Sequence, residues 1–122
     1  MIGAKINIKP FSINDAWRGR RFKTPEFKQW GIHTFYVLPS ALVVPQVDLY
    51  ACVEWGVSSF LVDVDNPAKT FIDVLQKKYK FNDRKIIGIY LEKVKTEKGD
   101  EYIDFHFFEN KKDLLIFLMS FT

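Results

Sequence analysis

Cysteine occurs once in the 122 residues, so no disulfide can close within the chain. The run around it, Leu49-Tyr50-Ala51-Cys52-Val53, is apolar, and a buried structural thiol is expected there. With one cysteine and two histidines, no Cys/His spacing of a zinc site can be drawn. Apolar runs stop far short of the about 20 residues that cross a bilayer, so no membrane span is expected. The first residues show no charged leader followed by an apolar stretch, which makes the cytoplasm the default location. No internal repeat, low-complexity tract or linker is visible, so residues 1–122 read as one domain.

What is present is apolar and aromatic. Hydrophobic residues are 48% of the chain and aromatics 16%, with twelve Phe, which supplies a core and excludes disorder. The formal charge is only +3, yet the positive charge is uneven. Lys5, Lys9, Arg18, Arg20, Arg21, Lys23 and Lys28 face only Asp15 and Glu26 over residues 5–28. A local basic block of that kind suits a polyanion met at one place on the surface.

The pattern predicts a short strand over 4–8, then a loop over 10–23 rich in basic and polar groups. Thr24-Pro25-Glu26 reads as a helix start, and the helix should run from about 25 to 37, ending before Pro39. Strands are expected over 46–55 and 60–64. Asn66 as N-cap and Pro67 in the first turn open a second helix, with Phe71, Ile72, Leu75 and Tyr79 on its apolar face. A strand over 86–94, a hairpin turn at Lys98-Gly99-Asp100 and an alternating strand over 102–108 follow. A last helix over about 111–120 presents Leu114, Leu115, Phe117 and Leu118. The expected class is α+β, with a mixed or largely antiparallel sheet and helices packed on one face.

The segment richest in chemistry is Asp63-Val64-Asp65-Asn66-Pro67-Ala68-Lys69, followed by Asp73 and Asn82-Asp83. At a strand end, a spacing of two points the Asp63 and Asp65 carboxylates to one side. Asp65 sits beside a helix start, where unpaired amides favour negative charge. Lys69 lies one turn in, and a chain reversal after the helix would return Asp83 to the same place. Three hard-oxygen ligands suit Mg²⁺ or Mn²⁺, which take phosphate oxygens as further ligands. The same run also fits a capped turn with solvated carboxylates, with Lys69 and Asp73 as an exposed helix pair.

The pattern Asp63, Asp65, Asn66, Lys69, Asp73, Leu75, then Asn82-Asp83 before a strand, resembles the RusA-type Holliday-junction resolvases. Pro10-Phe11-Ser12-Ile13-Asn14 followed by Arg18, Arg20, Arg21 and Lys23 is similar to that family's N-terminal turn and basic residues. Two positions differ: Ser58-Ser59-Phe60-Leu61-Val62 stands where the family is basic, and Asn82 replaces the first of its acidic pair. The resemblance implies a RusA-like domain and a dimeric, Mg²⁺-dependent endonuclease that resolves four-way DNA junctions by paired nicks. It implies Asp63, Asp65 and Asp83 as metal-binding catalytic acids, with Lys69 as an essential accessory. Should Asp83 not serve, a protein that binds branched DNA without cutting it is the alternative.

Arg18, Arg20, Arg21 and Lys23, with Trp17 interleaved, suit phosphate contacts and stacking on an exposed base. Asn14 and Ser12 suit the backbone of the turn that holds this loop near the acids. Asp104 and His106 share one strand face, and Glu54 is a reserve ligand. A homodimer would match the two-fold symmetry of a junction, with the strand over 46–55 or the last helix as its interface.

Overall fold

The computed structural model describes residues 2–12, 17–18 and 22–120, with 17, 18 and 22 as backbone only. Side-chain alternation in β4 (Leu49–Val57) sets the two faces of the sheet. Leu49, Ala51, Val53, Trp55 and Val57 are buried in the main core, whereas Cys52 belongs to a smaller cluster on the opposite face. β6 (Tyr102–Phe108) repeats the pattern, with Ile103, Phe105 and Phe107 on the main-core side. These strands lie between β1 (Ile2–Ile6) and β5 (Ile86–Lys95) in the order β1-β6-β4-β5. β4 and β5 are parallel, and the other two pairings are antiparallel. The sheet is therefore mixed, within a small α+β domain.

The parallel pair requires a crossover, and α2 (Asn66–Tyr79) supplies it. Its Phe71, Val74, Leu75 and Tyr79 are buried against the sheet. Phe71 stands edge-on to Trp55 at 5.7 Å and to Phe105 at 5.4 Å between ring centroids. Full burial of a ring such as Phe71 contributes roughly 2–3 kcal/mol. α1 (Pro25–Val37) packs beside α2, with Leu38 just beyond it in the same core. Its start is as the sequence suggests: Thr24 Oγ1 accepts from the Phe27 amide at 3.2 Å, and Pro25 occupies the first turn.

α3 (Lys111–Met119) departs from the expectation that all helices share one face. Its Leu114 packs with Cys52 and Phe108, flanked by Tyr50, Phe117 and Leu118. Tyr50, Cys52 and Phe108 point away from the α2 side, so α3 goes to the other face to cover them. β4, one of the two expected dimer surfaces, is an inner strand with a hydrogen-bonded partner on each side. α3 keeps Leu115, Ile116 and Met119 exposed.

Three further segments differ from the sequence reading, the first being the turn at Lys98-Gly99-Asp100, which closes no hairpin because β4 lies between β5 and β6. Within the basic loop, β2 (Trp17–Arg18) pairs antiparallel with β3 (Phe22–Lys23). Residues 60–64 form turns and not a strand. Side chains of the sheet take the carbonyls that a strand would pair. Lys93 Nζ donates to the carbonyls of Phe60 at 2.7 Å and Val62 at 3.0 Å, and Trp55 Nε1 donates to that of Val64 at 2.9 Å. Lys95 Nζ donates to the Ser58 carbonyl. With its backbone held this way, the segment leaves Leu61 95% exposed.

Candidate functional site

The turn fixed by Trp55 and Lys93 delivers the two leading acids. Asp65, rather than Asn66, is the N-cap residue of α2; its backbone is helical (φ −88°, ψ −15°) and its carboxylate makes no capping hydrogen bond. The Asn66 amide donates to the Asp63 carbonyl at 3.2 Å, and the Ala68 amide to that of Asp65 at 3.1 Å. The backbone thus closes the turn and leaves both carboxylates exposed.

From Asp65 the helix carries a polar stripe. Asp65, Lys69, Asp73 and Gln76 follow one another by four, four and three residues, so they share one face. Lys69 Nζ lies 3.3 Å from Asp73 Oδ1 and 3.5 Å from Asp83 Oδ2. Gln76 holds the returning chain, because its Oε1 accepts from the Asp83 amide at 2.9 Å. Its Nε2 donates to Asp73 Oδ1 at 3.4 Å. The charge of Asp73, and then that of Asp83, raises the Lys69 ammonium above its ordinary pKa. All three groups are well solvated, so each pairing contributes under about 1 kcal/mol.

The chain reversal after α2 brings Asp83 to Lys69, and not, as expected, into one group with Asp63 and Asp65. Asp73 is the i, i+4 partner of Lys69, its plainer reading. Among the described residues, no three His, Cys, Asp or Glu side chains are gathered so as to hold a metal ion. The donor chemistry of Asp63, Asp65 and Asp83 fits a hard divalent cation, and one drawing on Asp83 Oδ2 would compete with Lys69 for that oxygen. Asn82 serves the backbone, since its side chain accepts from the Arg84 amide at 3.0 Å and caps a 3₁₀ turn over Asp83–Lys85.

The basic loop is moored to the same helix. Thr70, fully buried, shares its hydroxyl between the Phe11 carbonyl at 2.7 Å and the Pro67 carbonyl of its own helix at 2.9 Å. Trp30 Nε1 donates to the Lys9 carbonyl at 2.7 Å, and the Phe11 ring packs between Phe27 and Trp30. Lys23 Nζ stands 5.5 Å from the Phe27 ring centroid. Trp17 and Arg18 lie on β2, while Asn14, Arg20 and Arg21 fall outside the described residues.

On the opposite face, the reserve ligands find partners of their own. His106 Nε2 lies 2.9 Å from Asp104 Oδ1, and Tyr102 donates its hydroxyl to Glu54 Oε1 at 2.5 Å. Sequence reasoning missed the positioning side chains Trp55, Thr70, Gln76 and Lys93. Each acts on backbone far along the chain or across a helix end, and no local pattern marks it. Among the described residues, no helix is long and apolar enough to cross a membrane. Neither the models of known protein families nor the curated proteins contain a match to this chain.

Proposed function

We propose that this chain is a metal-dependent endonuclease of branched DNA, acting in the manner of the RusA-type resolvases that its motif resembles. The observation that carries this reading is the stripe on α2, which starts at the uncommitted carboxylate of Asp65 and lines Lys69 up with Asp83. Asp63, Asp65 and Asp83 would hold Mg²⁺ or Mn²⁺, which when bound supplies a water of lowered pKa and neutralises charge on phosphate oxygens. Lys69, released from Asp83, would reach the scissile phosphate and stabilise the charge growing on it. The moored loop carrying Arg18, Arg20, Arg21, Lys23, Trp17 and Asn14 would hold the DNA backbone close by. A homodimer would set two such sites on matching strands of a four-way junction, and a cytoplasmic location goes with this substrate.

A second reading is a branched-DNA-binding protein that does not cut. It is favoured by the engagement of Asp83 with Lys69 and by the capping role of Asn82. Incubating a synthetic four-way junction with Mg²⁺ or Mn²⁺ separates the two. The endonuclease reading expects paired nicks from the wild type and none from Asp65→Asn, with junction binding retained by both. Equal nicking by both proteins would remove Asp65 from the mechanism. Binding without any nick would leave the second reading standing.

A further inference from the structure

We propose that the outer edge of β5 is the surface on which two copies of this chain join, strand to strand, about a two-fold axis at Tyr90. The proposal assigns a surface that the nucleic-acid reading above leaves open, and it depends on neither DNA nor cutting.

β5 ends the strand order β1-β6-β4-β5, so β4 pairs one of its sides and the other faces outward. It has ten residues, against five in β1 at the opposite edge. The Thr96 amide donates to the Val57 carbonyl of β4, so strand alternation turns the amides and carbonyls of Ile89, Leu91 and Lys93 outward. Ile87, Ile89 and Tyr90 are exposed along this edge. A long edge with apolar side chains is a template for another strand. Charged side chains can guard such an edge, but Lys93 and Lys95 are drawn onto carbonyls of residues 58–62. α3 extends the apolar strip. Its Leu114 faces the sheet, and the Phe117 ring centroid lies 4.6 Å from that of His106 on β6. On the helix, Leu115 and Met119 fall on the other side of Leu114 from Phe117, hence toward β5, and both are exposed.

The edge is complementary to itself. Antiparallel pairing about Tyr90 uses residues 86–94 of both copies and sets Ile89 on the second copy's Leu91, and Ile86 on its Val94. Glu92 falls opposite Gly88 and Lys93 opposite Ile87, so no like charges meet. At about 200 Å² per large side chain, the exposed fractions of Ile87, Ile89, Tyr90, Leu115 and Met119 amount to roughly 500 Å² per copy. Two copies thus offer about 1,000 Å² before any backbone is counted, the area a specific interface has to clear. The exposed face of α1 suits a second copy less well. Lys23, Lys28 and Lys77 line the groove beside it, and a two-fold axis there would set like charges against one another. The axis of an antiparallel pair stands normal to the sheet. Both α2 stripes would therefore face the same side of one eight-stranded sheet, where a single two-fold ligand could span them.

The test is sedimentation equilibrium of the full chain, without DNA, up to about 100 µM. The wild type should dimerise with a Kd on the order of 10 µM, as fits an interface at the small end of the range. Ile89→Lys places an ammonium on the edge and should weaken the dimer about ten-fold or more, with a melting curve to check its fold. Ile32→Ser on α1 should leave the Kd within about two-fold. Tyr90→Cys gives an independent reading. Tyr90 turns its amide and carbonyl to β4, so its pair at the axis is not hydrogen-bonded, and the two Cα atoms stand about 4.5 Å apart, within disulfide reach. Cys52→Ala accompanies this variant, because Cys52 pairs with position 90 across β4 and β5 and would capture the new thiol. Mild oxidation should then give a covalent dimer, and Ile32→Cys in the same background should not. A wild type still monomeric at about 100 µM would overturn the proposal and leave the edge to some other strand. So would a dimer unmoved by Ile89→Lys, or a Tyr90→Cys chain that does not cross-link. If Ile89→Lys does not fold, the Tyr90→Cys result decides. Dimerisation through β5 by a chain that never nicks a junction keeps this inference and sinks the endonuclease reading; paired nicks from a dimer indifferent to Ile89→Lys do the reverse.

Discussion

Trp55→Phe tests whether the core holds the acidic turn in place. Trp55 is 1% exposed, and its indole N–H is the donor that ties the Val64 carbonyl to β4. Phenylalanine keeps an aromatic ring facing Phe71 but removes that donor. Leaving a part-buried carbonyl without its partner costs about 1–3 kcal/mol. The smaller ring leaves a void worth about 1–2 kcal/mol more. The sum is about 3 kcal/mol, or roughly 10 °C in Tm for a domain of this size. The loss should also be local. The Asn66 and Ala68 amides bond within the turn, so their hydrogen exchange should speed up beyond what global destabilisation gives. The Leu75 amide, deep in α2, serves as the internal reference. A fall in Tm below about 3 °C, or turn amides that exchange in step with Leu75, would refute the claim that Trp55 positions Asp63 and Asp65.

Thr70→Val keeps the shape of a fully buried side chain but cuts the bond to the Phe11 carbonyl. It should cost about 1–2 kcal/mol in chemical denaturation and weaken DNA binding at low salt; unaltered binding would detach the loop's mooring from DNA affinity. Cys52 is pushed up to about 11, first by burial and then by the charges of Asp104, Glu54 and Glu92. A raised thiol pKa means the protonated form persists, so iodoacetamide at pH 8.5 should react about 100-fold more slowly than with an ordinary thiol, and reaction at the rate of the unfolded chain would contradict the burial. Lys69→Met frees Asp73 and Asp83 from a competing cation, so under the endonuclease reading Mn²⁺ should bind about 2–5-fold more tightly, read by calorimetry, while nicking is lost. Weaker Mn²⁺ binding in that variant would place the metal away from Asp83.

Much of the fold was legible where the determinants are local. Thr24-Pro25 marks the start of α1 because a cap and a first-turn proline act within a few residues. The alternation of Ile103, Phe105 and Phe107 gives β6 its bounds because one face of it meets a core. The side on which α3 docks is a different kind of fact. It follows from the parity of β4 and β6 together, and the near-continuous apolar run through Tyr50, Ala51 and Cys52 was the available sign that β4 is covered on both faces. The apolar run over 60–64 failed as a strand for a long-range reason. Its carbonyls are claimed by Trp55 and Lys93, which lie too far along the chain for local periodicity to register.

The candidate site divides along the same line. The Lys69–Asp73 pair is a local i, i+4 contact, and the return of Asp83 to α2 follows from a short reversal after the helix. The expected joint placement of Asp63 and Asp65 rests on the two-residue period of a strand, but these residues occupy a turn, where that period has no force. Asp65 heads the α2 stripe instead, about 12 Å along the axis from the level of Asp73. Lys69 stands between them with its ammonium on Asp83. An intramolecular ammonium is always present, whereas a divalent ion arrives from solution and must shed water. A cation that recruits Asp83 through Oδ2 would compete with Lys69 for that oxygen, and the contact it competes with, at 3.5 Å between solvated groups, opposes it by under about 1 kcal/mol.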